Sequence, residues 1–220
     1  MGFRRNLILL FFVFLTGVVF GFLVCFVIFS GIDFGVYRKM MGWEEMVLIF
    51  MRTVLISFLL LYGGSLLALG EIRVYRRMER KAYERLGRPW NFLYRLLGRI
   101  DPNLKKLNSV FRTVYYVLFG FPFVGVFVIG SAIGFYLCLF RNSLGLFFDV
   151  LYPHVFIEIP VYLVCASLGL LIAGNAKKWI MENNLKEIEK KLKKSFKQFV
   201  YFWPVIIILL LVSAYMEAFV

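Results

Sequence analysis

The single histidine of the chain, His154, stands four residues before a carboxylate, Glu158, near the start of an apolar stretch from Tyr152 to Gly174. Side chains four residues apart lie one above the other on the same face of a helix. An ionisable side chain inside hydrocarbon costs roughly 3 kcal/mol or more, so this pair is a candidate functional site. A neutral imidazole nitrogen with two or three carboxylate oxygens can hold a divalent cation such as zinc or manganese.

The predicted membrane topology places three further ionisable residues at a depth similar to that of this pair. Glu217 lies near the end of the last apolar segment, Asp149 shortly precedes the His154 segment, and Arg52 lies within an earlier one. In one interpretation His154, Glu158 and Glu217 bind a divalent metal, and Asp149 lies at the periphery of that site. In another, Arg52 is the counter-ion of one carboxylate and His154 hydrogen-bonds another in a structural network. A catalytic or proton-relay use is the third interpretation.

The elements that carry these side chains are predicted to be membrane helices. Hydrophobic residues make up 61% of the 220-residue chain and its mean hydropathy is +0.80, values that indicate a polytopic membrane protein. The formal net charge is +13, but the Lys and Arg residues stand beside apolar segments. In that position they mark cytoplasmic flanks and contact anionic lipid headgroups. No recognised nucleic-acid-binding motif accompanies the charge, so we expect no nucleic-acid partner.

The apolar segments predict an all-α fold, a polytopic membrane helix bundle that forms one integral membrane domain over residues 1–220. The five predicted spans cover residues 7–29, 46–69, 114–140, 153–173 and 200–220. The basic segments 70–113 and 174–199 are expected on the cytoplasmic face and contain amphipathic helices. Residues 144–152 are too short to cross the bilayer and are expected to be interfacial or re-entrant.

Within the basic segments, helical spacing predicts further elements. The second span is expected to continue as a helix to about Gly87. Residues 90–100 predict an amphipathic helix in the headgroup plane. Apolar residues of 185–199 recur at helical spacing and predict a helix that rests on lipid or on the other basic segment.

Small residues in the spans suggest where helices approach one another closely. Gly130 and Gly134 offer a surface for such an approach, and the Gly17–Gly21 spacing permits close packing and, on that basis, a homodimer. The three cysteines lack metal-type spacing and are predicted to be buried thiols. They are Cys25, Cys138 and Cys165.

The distribution of charge predicts the orientation in the cytoplasmic membrane. With the N-terminus inside, the cytoplasmic segments hold 22 of the 26 basic residues, as the positive-inside rule requires. Five spans then place the C-terminus outside. This multi-pass topology brings the ionisable residues of the second, fourth and fifth spans to a similar depth near the outer face.

The fourth span also resembles a known family signature. Leu151–Gly174 is similar to the signature of the stage II sporulation protein M (SpoIIM-like) family, in which Pro-His is followed by a Glu four residues after the His and by a helix of small residues. The matching positions are Pro153, His154, Glu158 and Gly169, together with Gly63-Gly64 and with Glu217 in SAYMEAFV. Arg52-Thr53 and Val155 stand where the family usually shows Asn residues and Gly, so the resemblance is to a divergent member.

The resemblance implies an α-helical inner-membrane protein that works in a complex and has no established reaction. In sporulating bacteria, family members are membrane scaffolds of the engulfment machinery and associate with cell-wall hydrolases. The leading hypothesis is therefore a non-enzymatic scaffold or assembly factor that acts as a homo-oligomer or with other membrane or envelope proteins. An ion or small-solute transporter or channel is the alternative, and an intramembrane metal-dependent enzyme is the third. One Gln against many Lys, Arg and Glu residues follows the hyperthermophile bias and predicts a prokaryotic, archaeal source.

Overall fold

The computed structural model describes residues 2–29, 43–78, 107–139 and 154–219, and no strand occurs within these ranges. The elements are α1 (Phe3–Phe29), α2 (Trp43–Phe58), a π-helical segment (Leu59–Gly63), α3 (Gly64–Arg77), α4 (Ser109–Leu139), α5 (His154–Met181), α6 (Leu185–Phe199), a 3₁₀ turn (Val200–Phe202) and α7 (Trp203–Phe219).

Five helical stretches in the described ranges are long and apolar enough to cross a bilayer, which confirms the predicted all-α fold and its five spans. They are α1, the run from α2 through α3, α4, α5, and the run from α6 through α7. The second and fifth stretches have 35 residues each. At 1.5 Å per residue such a helix is roughly 52 Å long, whereas the hydrocarbon core is roughly 30 Å thick. Both stretches therefore extend well beyond the hydrocarbon.

Helix α5 lies at the centre of the bundle, where it packs against every other described helix. Its buried faces carry small side chains, including the fully buried Ala166 and Ala173, and small residues let membrane helices approach closely. At Gly169 the approach is closest, because a Cβ there would lie 2.6 Å from the carbonyl oxygen of Leu60. This position therefore needs a glycine for the π-helical segment to rest on α5.

The second membrane helix changes its hydrogen-bonding pattern at its centre. Leu59–Gly63 form a single π-helical turn, a form found mostly as one-turn bulges within α-helices. The glycine pair lies at the end of this turn and faces α4. A Cβ on Gly63 would lie 2.5 Å from the ring of Phe121, and one on Gly64 would lie 3.0 Å from the carbonyl oxygen of Val117. The pair therefore allows the bulged helix to contact α4 directly.

Helices α1 and α4 pack backbone against backbone through two pairs of glycines. A Cβ on Gly17 or Gly21 would overlap the backbone of α4, and one on Gly130 or Gly134 would overlap the backbone of α1. This confirms close helix approach at Gly130 and Gly134. The surface of Gly17 and Gly21 is covered by α4 of the same chain, so their spacing gives no support to a homodimer, which stays a prediction.

The same seam continues to two of the cysteines. Cys25 follows Gly21 by four residues on α1, and Cys138 follows Gly134 by four residues on α4. Both side chains are buried, as is Cys165 on α5. All three are buried thiols, as the sequence predicted. A small thiol one turn beyond each glycine is compatible with close packing along these helices.

Helix α6 rests on protein, at the end of the bundle formed by α3 and the last turns of α5. Ile188 of its apolar stripe is fully buried. Arg76 of α3 forms an ion pair of 2.8 Å with Glu189. The hydroxyl of Tyr62 donates to the carbonyl oxygen of Phe196 at 3.3 Å, and their rings stack with centroids 4.6 Å apart. The described partners of this helix include α3 and α5, and Arg76 is its contact in the described part of the other basic segment.

The structure defines the ends of two membrane helices. The second membrane helix ends at Arg77, well before Gly87, because Met78 turns to extended backbone with φ −101° and ψ 147°. No glycine or proline marks that position, so the sequence offered no signal for it. Helix α5 continues as a helix past the predicted span 153–173, through Gly174 to Met181. Buried apolar residues one turn apart keep one face of this extension packed.

The remaining predictions about connecting segments lie outside the described residues. They concern the interfacial helix at 90–100 and the interfacial or re-entrant segment 144–152. These stay predictions.

We expect Gly134→Ala to destabilise the bundle, because the new methyl group would overlap the carbonyl group of Val18 on α1. Overpacking of this kind costs about 1–3 kcal/mol. The matched control is Gly120→Ala on the same helix, where a Cβ would meet nothing within 4 Å. We expect the control to be neutral or stabilising by up to about 1 kcal/mol, since alanine is the better helix former. Denaturant unfolding in detergent micelles measures both, and an equal loss in the two variants would contradict the close α1–α4 packing.

Candidate functional site

Glu158 lies one turn inside α5 and is 8% exposed. The hydroxyl of Tyr162, one turn further along α5, donates to its Oε2 at 3.2 Å. The hydroxyl of Ser213 on α7 donates to its Oε1 at 3.3 Å. Each carboxylate oxygen therefore accepts a hydrogen bond from a protein side chain. The second of these bonds ties α5 to α7.

The other carboxylate of the candidate site, Glu217, faces Arg52 of α2. It follows Ser213 by four residues, so the two side chains share one face of α7. Nη2 of Arg52 lies 3.8 Å from Oε1 of Glu217, an ion-pair distance that is longer than a hydrogen bond. The Arg52 side chain is 61% exposed and that of Glu217 is 16% exposed. The guanidinium group thus reaches the edge of the protein while its carboxylate partner lies inside.

The two hydrogen bonds of Glu158 and the ion pair of Glu217 form one arrangement, here named the polar cluster. Its members are Arg52, Glu158, Tyr162, Ser213 and Glu217. Glu158 also interacts electrostatically with Glu217 and Arg52. The cluster contains two carboxylates, one guanidinium group and two hydroxyl donors, contributed by α2, α5 and α7. Its direct chemical effect is to cross-link three helices at one end of the bundle.

Small apolar residues position the helices for these contacts. Met46 of α2 packs in one cluster with Ala214 and Ala218 of α7. Each alanine directly follows a polar member of α7, so the face that approaches α2 lies beside the face that carries the hydrogen-bonding groups. The rings of Trp43 and Phe219 lie 4.7 Å apart, which places the start of α2 beside the end of α7.

The predicted metal ligands are only partly described. Within the ranges that the structure covers, no three His, Cys, Asp or Glu side chains lie close enough together to hold a metal ion. Glu158 and Glu217 both belong to the polar cluster. His154 begins α5, but its side chain lies outside the described atoms, and so does Asp149. The metal site therefore stays a prediction.

Sequence reasoning missed both hydroxyl donors. Tyr162 stands four residues after Glu158, and Ser213 stands four residues before Glu217. The helical spacing that linked His154 to Glu158 applies equally to these pairs, so a signal for them was available. The pairing of Ser213 with the carboxylate on α5 depends on how the two helices align, which spacing along one helix does not reveal.

Comparison with known proteins adds the family. No curated protein and no solved structure has a significant match to the chain. The family model described as Stage II sporulation protein M matches residues 107–220. This range extends over more than half of the chain and includes α4 to α7, with every member of the polar cluster except Arg52. The chain belongs to the Stage II sporulation protein M family.

Proposed function

We propose that the protein is a non-enzymatic scaffold or assembly factor of the cytoplasmic membrane, working as a homo-oligomer or with other membrane or envelope proteins. In this proposal the polar cluster is a structural lock near the outer face. The observation that carries it is the pair of hydrogen bonds in which Glu158 accepts from Tyr162 and Ser213. The resemblance of the fourth span to scaffold proteins of the family supports the same role.

The physical reason is the cost of a carboxylate inside a membrane bundle. Placing such a group in the membrane is unfavourable in free energy unless the protein supplies hydrogen-bonding or charged partners. Interhelical hydrogen bonds from serine and similar residues commonly hold membrane helices together. Glu158 has a donor on each oxygen, one of them from another helix. A catalytic role has less support, because HVFIE supplies one His and one Glu, whereas a zincin helix supplies two His residues and the acid.

Transport of an ion or small solute is the second candidate, favoured by the presence of two carboxylates on membrane helices. Two observations weigh against it. The gap beside Tyr162, between α1, α4 and α5, is too narrow for a water molecule. Helix α5 also runs through Pro160 without interruption, whereas transporter sites typically use broken helices.

We expect chemical cross-linking in native membranes to give species larger than the 25.8-kDa chain, because a scaffold acts through its complexes. In proteoliposomes we expect proton and divalent-cation flux equal to that of empty liposomes. The matched variant is Glu158→Gln, which removes the ionisable group and keeps the side-chain shape. Flux in the wild type that is lost in this variant would contradict the scaffold proposal and favour transport.

The metal alternative is tested on the same protein, prepared without chelators. Elemental analysis should find substoichiometric zinc and manganese that are unchanged in Glu158→Ala and Glu217→Ala if the cluster is purely structural. Stoichiometric metal that is lost in both variants would replace the structural lock with a metal site, which His154 would complete.

We further propose that the N-terminus lies inside and the C-terminus outside. The segments placed inside by this orientation hold 22 of the 26 basic residues, in accordance with the positive-inside rule. Arg76 and the lysines of α6 belong to the end of the bundle opposite to the polar cluster, since α2 and α3 run from one to the other. The polar cluster is then the outer end.

Reporter fusions check this orientation. A C-terminal alkaline phosphatase, which is active only after export, should be active, and a C-terminal green fluorescent protein should be dark. The same reporters at the N-terminus should give the opposite pattern. Fluorescence from the C-terminal fusion would contradict the orientation and would place the polar cluster on the inner side.

A further inference from the structure

A cleft lies at the end of the bundle opposite to the polar cluster, between the last turn of α3 and the first half of α6. Its volume is about 610 Å³, within the range of small-molecule sites. The lining residues are Arg76, Leu185, Lys186, Glu189, Lys190 and Lys193. Neither the family match nor the proposed scaffold role accounts for this cleft.

The lining side chains give the cleft a strong positive charge. Among the residues that the structure describes, four cations and one carboxylate line it, an excess of three positive charges. Nζ of Lys190 lies 3.7 Å from Oε1 of Glu187, a residue that does not line the cleft. The Lys190 side chain is 76% exposed, so this ion pair is weak. Lys186 makes no ion pair with any residue in the described ranges. The described residues around the cleft therefore neutralise little of its positive charge.

Glu189 holds two of the cations in place. Its Oε2 lies 2.8 Å from Nη1 of Arg76, and its Oε1 lies 2.7 Å from Nζ of Lys193. The hydrogen bond from Lys193, followed by that from Arg76, lowers the pKa of Glu189 below its ordinary value. The carboxylate therefore stays ionised at neutral pH. One carboxylate uses only part of the donor capacity of the two cations, since guanidinium has five N–H groups and ammonium three.

We infer that this cleft, on the basic side of the membrane, binds a compact anion with two or more phosphate groups. A phosphate group carries up to about two negative charges at neutral pH, so two groups match the excess of three positive charges. Arg and Lys are the side chains that recognise phosphate, Arg by paired hydrogen bonds and Lys as a point charge. A volume of about 610 Å³ accommodates a compact anion of this kind.

Calorimetric titration of the purified full-length protein with pyrophosphate, at fixed ionic strength and in a neutral detergent, tests the inference. The triple variant Lys186→Gln, Lys190→Gln and Lys193→Gln should bind more than about tenfold more weakly, because it loses three charge-assisted contacts. The matched control removes the same charge from exposed lysines outside the cleft, as Lys177→Gln, Lys194→Gln and Lys197→Gln. Its affinity should stay within about twofold of the wild type. Circular dichroism checks that both variants keep their helices.

Two outcomes would overturn the site. One is the absence of pyrophosphate binding to the wild type, and the other is equal weakening in the two triple variants, which would indicate diffuse electrostatic attraction. Nanodiscs of phosphatidylcholine with and without cardiolipin, whose headgroup carries two phosphates, distinguish the sources of the anion. Equal pyrophosphate affinity in both assigns the cleft to a free anion. Competition by cardiolipin that disappears in the cleft variant assigns it to a lipid headgroup.

Discussion

Hydrocarbon supplies no hydrogen-bond donors, so a carboxylate on a membrane helix depends on donors from its own bundle. Glu158 meets this requirement through Tyr162 on its own helix and Ser213 on α7. Because α5 is the central helix, fixing α7 to it also sets where Glu217 lies. Glu217 in turn faces Arg52 on α2. One buried carboxylate thus constrains the relative positions of three helices, as the proposed structural lock requires.

The rest of the bundle is held by a different kind of contact. Helices α1 and α4 meet through glycines whose missing side chains let the backbones touch, and Gly169 does the same between α5 and the π-helical segment. At the opposite end, the apolar stripe of α6 and the stacking of Tyr62 on Phe196 seat the amphipathic helix on the second membrane helix. The polar cluster thus joins α2, α5 and α7 at one end, and close packing around α5 joins all of the described helices.

Hydropathy alone predicted the five spans, because span length is set by bilayer thickness. It also predicted that Glu158 and Glu217 lie at the same end, since successive spans alternate in direction. The choice of partners was not predictable in the same way. The Gly17–Gly21 spacing predicted close helix packing, but it did not show that α4 of the same chain packs on this surface. Ser213 became a partner of Glu158 only through the alignment of two helices, and neither the π-helical turn nor the end of α3 at Arg77 has a marker in the residue types.

The most direct test of the structural lock is a double-mutant cycle between Glu158→Ala and Ser213→Ala, measured by unfolding in mixed micelles. The account predicts a favourable coupling energy of about 0.5–2 kcal/mol, the range for interhelical hydrogen bonds in membranes. A parallel cycle between Glu158→Ala and Ser131→Ala should be additive, because Ser131 bonds only within α4, to the carbonyl group of Phe127, among the described contacts. Additivity within about 0.3 kcal/mol in the Ser213 cycle would contradict the claim that this hydrogen bond holds α5 and α7 together.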